Sequence, residues 1–67
     1  MKIKFNKYAI ITKERPIEFV NRDCNTTNNI EEAMLNDSEE VTNSILKTKF
    51  NVPEEYEILQ VNITYEI

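Results

Sequence analysis

"LQVNITYEI", Leu59 to Ile67, alternates apolar and polar residues without a break. Leu59, Val61, Ile63, Tyr65 and Ile67 take one side, and Gln60, Asn62, Thr64 and Glu66 the other. A period of two is the signature of a strand with one buried and one wet face. The residue types agree, since β-branched and aromatic side chains suit a pleated surface. Tyr56 to Leu59 lengthen the strand at its start. The expectation that follows is that the odd-numbered side chains sit under an amphipathic helix supplied by the middle of the chain.

That helix is read at "EEVTNSILKTKF", Glu39 to Phe50. Asp37 or Ser38 stands ready to cap it, and Asp37 with Glu40 has the shape of a capping box. Acids at its start and Lys47 and Lys49 near its end complement the helix macrodipole. Val41, Ile45, Leu46 and Phe50 form its apolar stripe. Pro53 closes the helical region. A shorter helix is expected at "IEEAML", Ile30 to Leu35, capped by Asn29 with Glu31 and Glu32 in its first turn.

Toward the N-terminus, Lys2 to Lys13 reads as another strand. Ile3 and Phe5 share one face, and "YAIIT", Tyr8 to Thr12, is apolar on both, as in a covered strand. "KERP", Lys13 to Pro16, is a turn, because proline cannot donate to a ladder. A short strand, Ile17 to Val20, then completes an antiparallel hairpin. "NRDCNTTNN", Asn21 to Asn29, reads as a loop, rich in side chains that bond their own backbone. The chain contains no glycine, so asparagine is expected to supply any left-handed positions. The fold class is therefore α+β: a small sheet of about three strands, an N-terminal hairpin plus the C-terminal strand, packed against one or two helices. The last strand is expected beside the first, in parallel through a helical crossover. Residues 1–67 are expected to form a single domain.

A chain of 67 residues buries only roughly 60% of the surface its unfolded form exposes. Chains this small often add disulfides, a metal or a partner. Cys24 is the only cysteine and there is no histidine. An internal disulfide and the usual zinc ligand sets are thus excluded. Neither a signal peptide nor a membrane-spanning segment is legible, so a cytoplasmic location is expected. Without glycine there is no phosphate-cradling loop, and without histidine no Ser–His–Asp or Cys–His site. No catalytic residue, cofactor or metal is expected. Cys24, beside Arg22, reads as a loop cysteine without a role, and the N-x-T sequons at Asn25 and Asn62 have meaning only on a secretory route.

The formal net charge is −4, but it is unevenly spread. Residues 1–22 carry six basic and two acidic groups, and residues 23–67 two basic and ten acidic. The halves either attract each other across the fold or serve different partners. The carboxylates lack the alternating ligand pattern of a calcium loop, and nothing supplies the cleft that a paired-carboxylate hydrolase needs. Glu31, Glu32, Asp37, Glu39, Glu40, Glu54, Glu55 and Glu57 could imitate phosphates in another protein's nucleic-acid groove. Direct nucleic-acid binding would rest on the N-terminal basic residues with Phe5, Tyr8 and Phe19, but Phe5 and Phe19 read as core and overall acidity opposes it. Protein–protein contact remains. Sheet edges carry unpaired backbone groups that another chain, or a second copy, can pair with, and Tyr56 and Tyr65 are candidate anchors. The candidate partner-binding residues are Glu31, Glu32, Asp37, Glu39, Glu40, Tyr56 and Tyr65.

The arrangement "KYAIIT…EEAMLNDSEEVTNSIL…YEILQVNITYEI" resembles short uncharacterised proteins of phages and prophages of low-GC Gram-positive bacteria. The resemblance carries no site residues over. It implies that, like many such proteins, the chain modulates host or defence machinery by binding it, though many of them have no known role; with no catalytic set legible, the reading is a small non-catalytic phage-type binding protein, such as an inhibitor. A self-assembling accessory subunit and an acidic nucleic-acid mimic are the alternatives.

Overall fold

The computed structural model describes all residues, Met1 to Ile67. Four strands and one α-helix form the frame: β1 (Lys2–Thr12), β2 (Phe19–Val20), β3 (Thr26–Thr27), α1 (Glu39–Lys49) and β4 (Tyr56–Glu66). One-turn 3₁₀ segments at Ile30–Glu32 and Pro53–Glu55 precede α1 and β4. The sheet order is β3-β2-β1-β4, and every pairing is antiparallel. The α+β class is as expected, with four strands rather than three. The added strand, β3, lies inside the segment read as a loop.

β4 does lie beside β1, but antiparallel to it, from Thr12↔Tyr56 to Lys2↔Glu66. The expected parallel crossover is therefore wrong, and the chain's path explains why. Asn36 exchanges backbone hydrogen bonds with Tyr8, midway along β1. From there α1 carries the chain to Phe50, whose ring packs 4.7 Å from Tyr56 at the Thr12 end. The helix has already travelled in the direction of β1, so the next strand returns.

The core lies at that end, and its helix-covered cluster is on one side. Ile10, Val20 and Leu46 are its buried centre, with Met34, Ile45, Phe50, Tyr56 and Ile58 packed around them. Register partners share a face, so the pair Ile10↔Ile58 places the helix on the even-numbered side of β1 and β4. The expectation that Leu59, Val61, Ile63, Tyr65 and Ile67 lie beneath the helix is thus overturned: they occupy the opposite face. The physical reason is reach. An α-helix of 11 residues spans about 16 Å, whereas a strand of 11 residues spans about 37 Å. α1 covers only the end where Tyr8–Ile11 and Ile58–Leu59 are apolar on both sides.

The helix stripe is also rotated. Val41 is 51% exposed, and Thr42, fully buried, takes its place. The Thr42 hydroxyl is satisfied locally, donating to the Ser38 carbonyl at 2.8 Å, so its methyl can face the core without an orphaned polar atom. Ser38, not Asp37, is the N-cap, and its Oγ accepts from the Glu40 and Val41 amides at 3.2 and 3.4 Å. Asp37 instead pairs with Lys7, so no Asp37–Glu40 capping box forms. Ser38→Ala is therefore expected to cost about 1 kcal/mol. Asp37→Ala, which removes an exposed ion pair, should cost under about 0.5 kcal/mol. Urea denaturation of both variants checks this order.

The segment Ile30–Leu35 keeps its Asn29 cap, which accepts from the Glu31 amide at 3.0 Å, but the helix stops after one turn. Ala33 is already extended. The Met34 amide then donates to the Val20 carbonyl. Backbone partners on the sheet thus replace those that a continuing helix would have offered.

In the loop after β2, the Asn21 side chain accepts from the amides of Asp23 and Asn25, both at 3.0 Å. The left-handed position there belongs to Cys24, φ 63°, not to an asparagine. Asn21 and Asn25 are occupied in closing the turn, which leaves Cys24 at its strained position. A non-glycine residue in that region costs about 1–2 kcal/mol. Cys24→Gly should recover about 0.5–1 kcal/mol after glycine's own entropy cost, read as a raised thermal midpoint.

Candidate functional site

β1 and β4 extend well past the core, along the molecule's 42 Å axis. β2 pairs with β1 only through Ile11↔Phe19, and Asn36 adds a bridge at Tyr8. From Lys2 to Asn6, β1 has β4 as its one ladder neighbour. Residues 2–7 and 61–66 therefore form a two-stranded arm.

The arm has unlike faces. On the helix side lie Lys2, Lys4, Asn6, Asn62, Thr64 and Glu66, all exposed. On the other lie Ile3, Phe5, Val61, Ile63 and Tyr65, closed off by Lys7 toward the core. Phe5 and Tyr65 meet edge-on with centroids 5.9 Å apart, a favourable aromatic geometry. The Lys7 ammonium lies 5.8 Å from the Phe5 ring centre, within cation–π range. Even so, Phe5 is 45% and Tyr65 57% exposed. Nearer the core, Ala9 and Ile11 on this face are buried, flanked across the ladders by Leu59 and Phe19. On this face of the sheet, the exposed apolar area thus lies on the arm. Contiguous apolar patches of this kind mark contact sites more often than bare surface.

The sequence-derived candidates do not gather in one place. Glu31 and Glu32 sit in the first 3₁₀ turn, where Glu32 accepts from Thr27 and Asn29 side chains. Glu39 and Glu40 occupy the first turn of α1, and Asp37 is held by Lys7. Tyr56 packs half-buried against Phe50 in the core region. Tyr65 alone is on the apolar face of the arm. Phe5, read as core from sequence, belongs there too, with Ile3, Val61 and Ile63. Their signal was present: the alternation runs on past any length that an 11-residue helix could cover. Cys24 is exposed.

Small hollows flank the helix. One of about 250 Å³ is lined by Cys24, Lys49, Phe50, Val52 and Tyr56 among others, and one of about 290 Å³ by Glu39, Glu40, Asn43 and Ile58. Both fall below the roughly 300–1,000 Å³ of small-molecule pockets. No protein-family model, curated protein or solved structure matches the chain. No helix is long and apolar enough to cross a membrane.

Proposed function

We propose that the chain is a small non-catalytic binding protein of phage type that modulates a host or defence protein by direct contact, using the apolar face of its arm. One observation carries this reading: Ile3, Phe5, Val61, Ile63 and Tyr65 form an apolar strip on the sheet face that α1 leaves uncovered. Aromatic residues flanked by aliphatic ones are the usual anchors of protein interfaces. The basic groups beside the strip do not oppose this: Lys7 is already engaged by Asp37.

The acidic-mimic alternative draws less support. Glu31 and Glu32, Glu39 and Glu40, and Asp37 are each used where they stand, in first turns or in an ion pair. Capture from a lysate of a low-GC Gram-positive host separates the two readings. Wild type and Glu39→Lys/Glu40→Lys should both retain a partner, in low and high salt, while Phe5→Lys/Ile63→Glu loses it. Loss of capture on charge reversal instead, with salt sensitivity, would replace this reading with the mimic.

A further inference from the structure

β4 ends the sheet, and the parity of its hydrogen bonds is known. Met1 and Ile67 exchange both backbone bonds, so odd residues of β4 bond inward to β1. The N–H and C=O groups of Tyr56, Ile58, Gln60, Asn62, Thr64 and Glu66 therefore point outward along the whole strand. The middle of this edge is unguarded, since the charged residues of β4, Glu57 and Glu66, stand near its ends. β4 contains no lysine, proline or glycine, and its register with β1 runs unbroken, without a bulge. Natural edge strands usually carry one of those devices. The other open edge of the arm, along β1, carries Lys2 and Lys4.

We propose that β4 pairs antiparallel with β4 of a second copy, about a two-fold axis through Val61, joining the two sheets into one. A two-fold contact must be self-complementary, and this edge is. The register that overlaps all of Tyr56–Glu66 sets Val61 opposite its own counterpart. Gln60 then faces Asn62 of the second copy, Leu59 faces Ile63, Ile58 faces Thr64, Glu57 faces Tyr65 and Tyr56 faces Glu66. At the centre apolar meets apolar and amide meets amide, while the outer pairs set Ile58 against threonine and tyrosine against glutamate. No carboxylate opposes another, which would be destabilising. The backbone agrees, because the outward-pointing Gln60 and Asn62 form the hydrogen-bonded pairs while Val61 sits at a close, non-hydrogen-bonded position. The pairing does not rest on the proposed function, since it is argued from the edge's backbone groups; it sets the two apolar strips side by side on one face of the joined sheet, with Val61 and Ile63 at the seam.

Cross-linking tests the axis. In a Cys24→Asn background, Val61→Cys should form a disulfide-linked dimer on mild oxidation. Cα atoms at such a pair lie about 4.5 Å apart, within disulfide range. Ile63→Cys should not, because its copies would lie about 13 Å apart along the strands. Sedimentation of the unmodified chain at tens of micromolar should give a mass twice that of the chain. Gln60→Lys/Asn62→Lys, which sets lysine against lysine at exposed positions, should reduce it to monomer, and Gln60→Glu/Asn62→Lys should restore the dimer. A monomeric unmodified chain, or Ile63→Cys cross-linking as fast as Val61→Cys, would overturn the pairing. Should Val61→Cys not fold, the sedimentation series alone decides it.

Discussion

Ile10→Ala is expected to lower stability by about 3 kcal/mol, within the 2–5 kcal/mol range of buried Ile-to-Ala truncations. Ile10 is fully buried and joins Val20 and Leu46 at the centre of the core. It touches the sheet neighbours on both sides, opposite Ile58 on β4 and against Val20 on β2. A domain of this size has about 3–10 kcal/mol in all. The variant should therefore melt about 12–24 °C lower or be largely unfolded at physiological temperature. Val41→Ala is the control. Its side chain is half exposed on α1, and the change should stay within about 0.5 kcal/mol. Equal losses in the two variants would mean that the helix packs with the face its apolar stripe suggests, and not the one described above.

Phe5→Lys/Ile63→Glu should have the largest effect on binding with little effect on the fold. The two positions are direct register partners on the arm, so the new charges are opposite and adjacent, and cross-strand pairing is retained. Both lie outside the core cluster. The thermal midpoint should move by a few degrees at most. Binding to the captured partner should weaken by roughly 30-fold or more, because loss of a central aromatic anchor typically costs 2 kcal/mol or more. Titration of the purified partner by calorimetry measures this directly. Undiminished affinity in a folded variant would remove the apolar strip from consideration as the contact surface.

Much of the molecule was legible as local chemistry. The two long strands, the boundaries of α1, the Asn29 cap, the turn at Pro16 and the hairpin it closes follow from period, propensity and capping groups. Each depends only on neighbours a few residues away. The choice of Ser38 over Asp37 as the α1 cap does not follow from them. The short strand β3 was not legible because its two residues lie within a run of turn-forming side chains, and the truncated 3₁₀ turn at Ile30–Glu32 was not because backbone partners far along the chain decide it. Asn21 meets Ala33, and Tyr8 meets Asn36, contacts that no local pattern announces. The apolar face of the arm divides the same way. The exposure of Tyr65 agrees with its reading as a candidate anchor, whereas Phe5 reads as core yet stands 45% exposed, since apolar character alone does not reveal whether a covering element reaches it.

By itself, the sequence determined that Leu59 to Ile67 would be a strand with one apolar side. It could not say which side of the sheet the helix would cover, because a period of two is symmetric about the sheet plane. The tertiary structure decided that, by seating Leu46 against Ile10 and Ile58 on the even-numbered side. A helix less than half as long as the strands beneath it then left the odd-numbered face of the arm open.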